Sequence, residues 1–303
     1  MQIHLAKSAG FCFGVRRAIR IARDLASARK PVCMLGDLVH NEAVIRELEA
    51  AGIRKIKRLG AGLNAKLLIR AHGASRRTLA LARRHGYAIV DATCPMVREI
   101  HRIVRAMDRQ GRRVIVIGDR RHDEVLGIIG QIARRAVIIE HAGHIPWKAL
   151  RRVRKAAIVV QSTQNLDRVL PIVERLKARI ADARFFNTIC KPTRMKQEEI
   201  KTLPLQNDAI LIIGSRTSAN TKRLYEIAKA LNARAHWIQS PEELDSRWFR
   251  NVRSLGITAG ASTPETTTQA VIARIRALTG AGKKLSRYKT GSTKNVEPAL
   301  RRL

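Results

Sequence analysis

Three of the four cysteines sit in a local context that can do chemistry. Cys12 lies in Ala9-Gly-Phe-Cys-Phe-Gly, Cys94 in Asp91-Ala-Thr-Cys-Pro and Cys190 in Asn187-Thr-Ile-Cys-Lys-Pro-Thr, each after a β-rich run and before a helical one. A thiol in the turn that opens a helix faces the positive end of the helix dipole, which favours the thiolate and an anionic centre. Two such thiols could form a redox pair; three point to a metal site. No Cys-x-x-Cys or Cys-x-His pair occurs, so spacing excludes a zinc finger. Three thiolates on a cubane iron–sulfur cluster leave one iron without a protein ligand, since full ligation takes four. An open iron can polarise a substrate oxygen. The plain alternative is three unrelated buried cysteines. Cys33, inside the apolar run Pro31-Val-Cys-Met-Leu, reads as a small buried hydrophobe.

Other polar groups gather where strands are expected to end. They are Val39-His-Asn, Ala71-His-Gly, Arg121-His-Asp-Glu, Gln161-Ser-Thr, Gly214-Ser-Arg-Thr-Ser-Ala-Asn and Ala259-Gly-Ala-Ser-Thr-Pro. In open α/β sheets ligands bind beyond the carboxyl ends of strands. A lone histidine is more often structural than a ligand, but three at strand ends ask for a shared role. The last two stretches join small residues and hydroxyls to a following helix, an arrangement that cradles phosphate. Neither has Walker or Rossmann glycine spacing.

The elements that must position these groups alternate. Short β-rich runs are expected at Ile3–Ala6, Val32–Leu35, Lys66–Ala71, Ala88–Val90, Arg113–Ile117, Ala136–Ile139, Ala156–Val160, Ala209–Ile213 and Leu255–Thr258. Helical spacing fills the gaps: residues 15, 18, 19, 22 and 25 make one apolar face, and further helices are expected near 42–51, 75–85, 96–110, 166–180, 194–202, 221–231 and 264–278. Short alternating units of this kind predict an α/β fold of parallel sheets with helices on both faces. The cysteines mark an internal repeat with gaps of 82 and 96 residues, so three similar modules are expected. From Gly280 the chain reads as a polar tail without periodicity.

Composition limits the function classes. A chain of 303 residues with 45% hydrophobic and 27% charged residues is globular, and four cysteines exclude a disulfide scaffold. No apolar leader and no 18-residue apolar run occur, so neither secretion nor a membrane span is expected. The 59 Lys+Arg against 24 Asp+Glu give a net charge of +35, which suits nucleic acid, an anionic surface or an acidic partner. The basic residues are scattered as pairs such as Arg83-Arg84 and Arg134-Arg135, without a block, and aromatics are only 4%, too few for a stacking platform. A genome-wide preference for arginine codons is the reading that such scatter favours.

In order along the chain, GFCFGV, VHN, AHG, DATCP, HDEVLG, NTIC, GSRTSANTKRL and TAGAST resemble the LytB/IspH family of 4-hydroxy-3-methylbut-2-enyl diphosphate reductases, from Ile3 to about residue 279, with a weaker echo at Lys294–Arg301. The resemblance implies three similar small α/β domains around a pseudo-threefold axis and a central [4Fe-4S] cluster. The divisions implied are 13–93, 94–189 and 190–279, the third completed by the N-terminal strand 1–12, with 280–303 as a C-terminal tail. Cys12, Cys94 and Cys190 match the cluster ligands. The implied reaction is reductive dehydroxylation to isopentenyl and dimethylallyl diphosphate, the last step of the methylerythritol phosphate route to isoprenoids. The substrate hydroxyl meets the open iron, two electrons enter, water leaves and carbon is protonated. By position Glu124 matches the proton donor, His122 and Ser162 lie beside the substrate hydroxyl, and His40, His72, Ser218, Ala219, Asn220 and Ser262 fall on the diphosphate site. A cytoplasmic monomer or weak dimer, with an acidic ferredoxin or flavodoxin as electron donor, completes what is implied.

Three positions depart from the family pattern. Ser162 stands where threonine is common, Ala219 where a second serine is common, and Asp123 where a proline usually precedes the acid. Asp123 is expected to loosen its turn and add negative charge beside Glu124. The tail after Gly280 is shorter than is usual in the family. For Glu124 the plain alternative is a surface helix residue. Other readings are a different three-cysteine cluster enzyme such as quinolinate synthase, and a basic nucleic-acid-binding protein with a structural cluster. The first does not call for VHN, AHG and GSRTSAN in this order; the second leaves Glu124 and the strand-end hydroxyls without a purpose.

Overall fold

The runs 114–117, 156–160 and 209–213 are buried at every residue, as strands covered by helices on both faces must be. The computed structural model describes residues 1–27, 30–62 and 64–280, with the backbone of one further strand at Leu285–Arg287. The chain opens with β1 (Gln2–Leu5), α1 (Phe13–Ala26), β2 (Val32–Leu35), α2 (Glu42–Ala50), β3 (Ile53–Ile56), β4 (Lys66–Ile69), α3 (Arg76–Arg84) and β5 (Ala88–Asp91). It continues with α4 (Pro95–Arg109), β6 (Arg113–Ile117), α5 (Asp123–Ile129), β7 (Val137–Ile139), α6 (Trp147–Leu150), β8 (Lys155–Val160), α7 (Leu166–Lys177) and β9 (Asp182–Phe185). Then come α8 (Lys191–Thr202), β10 (Ala209–Ile213), α9 (Ala219–Leu231), β11 (Ala235–Ile238), β12 (Ser254–Ala259), α10 (Glu265–Thr279) and β13 (Leu285–Arg287).

The strands form three parallel sheets, ordered β3-β2-β4-β5, β7-β6-β8-β9 and β11-β10-β12-β1-β13. Contacts group the chain into two units. The larger, residues 14–39 and 43–190, holds the first two sheets; the smaller, residues 1–13, 40–42 and the described residues from 191 onward, holds the third. All three sheets share one plan. The chain runs to one side, then reverses at the central pair β2/β4, β6/β8 or β10/β12. The fourth place is taken by β5, by β9 and, in the smaller unit, by β1.

Packing follows the two-residue period of a strand. Ile115, Ile117, Ile158 and Val160 face Val169, Ile172, Val173 and Leu176 of α7. Their neighbours Val114, Val116 and Val159 face Ile100 and Val104 of α4 with Val125 and Ile128 of α5. In α1 the expected stripe buries Ala18, Ile19, Ala22 and Leu25, while Val15 is half-buried. The strands with no sequence expectation, β3, β9, β11 and β13, all lie on sheet edges. β3 and β9 carry polar residues such as Arg54, Lys55, Asp182 and Arg184 and so lack a continuous apolar run, whereas the edge strand β7, Val-Ile-Ile, is buried and keeps one. The expectation of an aperiodic tail from Gly280 is corrected at Leu285–Arg287, which pairs in parallel with Ile3–Leu5. The echo at 294–301 lies outside the described residues.

Cys33 is 1% exposed on β2 and packs with Leu67, Ile69, Ala82 and Tyr87. A hydroxyl there loses water in an apolar cluster, where the Arg54 guanidinium, 3.6 Å from Sγ, is the donor within reach. Cys33→Ser is expected to lower the unfolding free energy by about 1–3 kcal/mol, read from the urea midpoint.

Candidate active site

In the larger unit the loops leaving β6 and β8 bring a carboxyl, a hydroxyl and an imidazole together. His122 caps α5: its Nδ1 accepts the backbone N–H of Glu124 at 3.1 Å. An acceptor Nδ1 carries no proton, so the neutral ring presents Nε2–H as a donor. Glu124, two residues on, is 1% exposed. It lies on a helix, as the plain alternative supposed, but faces inward. Both carboxyl oxygens are taken by one residue: the Ser162 N–H donates to Oε1 at 2.6 Å and its Oγ–H to Oε2 at 2.7 Å. Burial pushes the Glu124 carboxyl above its ordinary value of 4.5, and the two Ser162 bonds oppose that rise. The serine in place of threonine keeps the hydroxyl that makes the bond.

His72 follows β4, and its ring meets that of His122 edge-on with centroids 5.5 Å apart. The turn behind it depends on Gly73, at φ +79°, where a Cβ would stand 2.7 Å from Cε1 of His101. His101 is buried on α4, and its Nε2 lies 3.6 Å from where a Cβ on Gly127 of α5 would sit. Burial and the nearby Arg105 charge lower its pKa to about 4, against the pull of Asp91, so it wedges as a neutral ring.

Asp123 corrects an expectation. It pairs with Arg70, at the end of β4, at 2.6 Å, so its charge is matched and its turn is tied down. With the His122 cap in place, the turn is not loosened by the missing proline.

In the smaller unit the loops after β10 and β12 form a tight cradle. A Cβ on Gly260 would stand 2.1 Å from Thr221 Oγ1, and one on Gly214 would stand 2.7 Å from Thr263 Oγ1. Ser218 caps α9 by accepting the Thr221 N–H at 3.3 Å, a bond that does not use its own O–H. Asn220, in the first turn, is 4% exposed, and neither side-chain amide atom has a hydrogen-bond partner among the described residues. A buried amide left so is costly unless a ligand completes it. Ala219 opens the helix and brings no polar side-chain group. Ser262 Oγ donates to the carbonyl of His40 at 2.8 Å, which fixes these two residues together.

The cysteines show one contact repeated three times. The Cys94 N–H donates to Ala71 O at 2.9 Å, Cys190 N–H to Ser162 O at 3.1 Å, and Cys12 N–H to Ala261 O at 3.1 Å. Each bond ties the chain beyond the fourth strand to the loop beyond its central neighbour. Each cysteine immediately precedes a helix, is partly exposed and forms no disulfide, while Cys33 is buried. Among residues without a sequence expectation, Arg70 and His101 support the site. The signal for His101 is a polar residue on the apolar stripe of Val97, Ile100 and Val104.

The family description "LytB protein" matches residues 3–276. A 4-hydroxy-3-methylbut-2-enyl diphosphate reductase of Pelobacter propionicus is 37% identical over 275 residues, 91% of this chain and 98% of its own. The enzyme so named from Geobacter metallireducens is 37% identical over 284 residues, covering 93% and 99%. A solved (E)-4-hydroxy-3-methyl-but-2-enyl diphosphate reductase, the terminal enzyme of the non-mevalonate pathway, superposes with a TM-score of 0.68 at 34% identity, over 91% of this chain and all of that one. The E-1-hydroxy-2-methyl-but-2-enyl-4-diphosphate reductase from Plasmodium falciparum gives a TM-score of 0.84 at 25% identity, over 99% and 98%.

The opposed forces on Glu124 give a pH test. Its folded pKa exceeds the unfolded one, so the protonated carboxyl favours the fold; that contribution is full below the unfolded value and is lost as pH rises through the folded one. Urea unfolding is expected to show the parent losing stability across that window relative to Glu124→Gln. Ser162→Ala deletes a bond that lowers the pKa, so the infrared carboxyl band of Glu124 should titrate higher than in the parent.

Proposed function

Because the chain belongs to the LytB family, we propose that it is a 4-hydroxy-3-methylbut-2-enyl diphosphate reductase, the terminal enzyme of the non-mevalonate isoprenoid pathway, and that the residues above divide its work as follows. The observation that carries the chemistry is the buried Glu124 carboxyl held on both oxygens by Ser162. Hydroxide is a poor leaving group and needs a proton as it departs. A carboxyl whose pKa burial raises keeps that proton closer to neutral pH. When Glu124 is protonated, its O–H turns to Ser162 Oγ and the serine hydrogen is free to point to the substrate oxygen. The proton thus passes from Glu124 through Ser162, and His122 steadies the same oxygen from Nε2–H.

Family and donor chemistry make this an iron–sulfur enzyme. Three partly exposed thiols with no disulfide, each at a helix opening, suit thiophilic iron, and we assign Cys12, Cys94 and Cys190 as ligands of a [4Fe-4S] cluster. The cluster would pass on two electrons from the external donor, one at a time, and would offer a Lewis-acidic iron. In the division 13–93, 94–189 and 190–279 with 1–12, Cys94 opens the second module, and Cys12 and Cys190 both fall in the third. A diphosphate is an anion with several acceptor oxygens. Ser218 and Asn220 offer it an O–H and an unsatisfied amide at the positive end of α9, which has 13 residues. His40, His72 and Ser262 complete its shell in this reading, with backbone N–H groups substituting for a hydroxyl at Ala219.

No helix among the described residues is long and apolar enough to cross a membrane. We place the reaction in the cytoplasm, with an acidic ferredoxin or flavodoxin as donor and the protein working as a monomer or weak dimer. The +35 charge would then raise the association rate with the donor.

Anaerobic reconstitution tests the assignment. Serine at Cys12, Cys94 or Cys190 is expected to lower bound iron and sulfide, whereas Cys33→Ser should keep both. Glu124→Gln should bind substrate and lose about a hundred- to ten-thousandfold in turnover, the usual worth of general acid catalysis. Near-normal turnover would remove Glu124 from the mechanism. Turnover with an acidic protein donor should fall steeply as the Debye length shrinks from about 30 Å at 0.01 M salt to about 10 Å at 0.1 M, while a small neutral dye donor shows little change.

A further inference from the structure

α8 packs inward with polar residues. Thr193, Lys196, Gln197 and Glu199 are all buried on it beside Ile200. Lys196 is 2% exposed, and its ammonium donates to three backbone carbonyls: Ser8 O, Gly10 O at 3.0 Å and Ala259 O at 3.0 Å. One turn further along, Glu199 takes the opposite polarity of the same segment. Its Oε1 accepts the Lys7 N–H at 3.1 Å, and its Oε2 accepts the Ser8 N–H at 3.0 Å and the Ser8 hydroxyl. A cation and an anion on one helix face therefore grip residues 7–10 by their carbonyls and by their amides.

Gripping this segment has an expense that packing alone does not justify. Burying an ammonium and a carboxylate is costly before their bonds form, and apolar residues of similar volume are often as stable. The charges instead define one path for a loop that turns at Gly10, φ +87°. Two residues on is Cys12, whose N–H reaches Ala261 O, beyond the Ala259 carbonyl that Lys196 also holds.

We propose that Lys196 and Glu199 are positioning residues for Cys12, fixing its loop so that the thiol is held ready as an iron ligand. This rests on the assignment of Cys12 to the cluster. Neither residue touches substrate or reacting atoms in this reading.

The test uses the full chain without metal. Alkylation of Cys12, Cys94 and Cys190 by iodoacetamide is followed by mass spectrometry in the parent, Lys196→Met and Glu199→Gln. Loss of a hydrogen bond to a charged group corresponds to roughly a tenfold rise in the open population of the loop. Cys12 is expected to react about that much faster, while Cys94 and Cys190 keep their parental rates. Lys196→Arg, which keeps a cation, should restore part of the slow rate. An equal rise at all three thiols means general destabilisation and overturns the proposal, as does an unchanged Cys12. If Lys196→Met does not fold, Glu199→Gln, which keeps the shape of the side chain, carries the same comparison. Iron content after reconstitution separates this inference from the assignment beneath it. Selective Cys12 exposure with iron lost in Cys12→Ser supports both. Selective exposure with full iron in Cys12→Ser overturns the ligand assignment while leaving the grip itself intact.

Discussion

Parallel strands can be joined only by a crossover, and each crossover brings the chain back to the same end of the sheet. Every loop that leaves a strand therefore collects at the carboxyl edge, and a reversal of strand order opens a gap between two of those loops. This chain uses the arrangement three times, with β2/β4, β6/β8 and β10/β12 as the reversing pairs. The polar groups assigned above leave from these ends. The cysteines leave from the neighbouring strand in each sheet, and one backbone hydrogen bond of 2.9–3.1 Å holds each of them to the adjacent loop. The interior strands, rich in Val, Ile, Leu and Ala, supply the rigid edge on which this depends.

Within that frame the local electrostatics are sorted by burial. Glu124 is enclosed and meets neutral donors, so desolvation dominates its acidity. The next residue, Asp123, is half-buried and meets Arg70 directly. A matched pair projects less field than a lone carboxylate, so Glu124 is not governed by its charged neighbour. His101 is likewise kept neutral by enclosure, and it serves the site by shape, filling the space that Gly73 and Gly127 leave open.

The strands with two covered faces were legible because burial on both sides demands an unbroken apolar run. Edge strands β3, β9 and β11 were not, since one flank faces water and tolerates arginine, lysine, aspartate or histidine. The three cysteines could be grouped by what precedes and follows them, because a strand end and a helix start are local facts. Ser162 could be placed at a strand end, but its bond to Glu124 joins residues 38 apart in sequence. Lys196 and Glu199 lie 188 and 191 residues from the Ser8 groups they hold. The sequence places both in the helix expected near 194–202, and only the fold shows that their face turns inward. The same holds for Arg70, whose partner Asp123 read as a liability until the pairing was seen.

The third sheet also sets an order of events for a chain that grows from its amino end. β1 pairs along its whole length with β12, Gln2 beside Ser254 through Leu5 beside Ile257. A segment synthesised early must wait for one made some two hundred and fifty residues later, a wide separation of the kind that slows folding. Until then its edge and the loop after it have no partner, while the first two sheets already have all their strands. Cys12 is thus the earliest of the three helix-opening cysteines to leave the ribosome and the last to be fixed. The first 190 residues contain the carbonyl partners of Cys94 and Cys190, at Ala71 and Ser162, but not Ala261, the partner of Cys12.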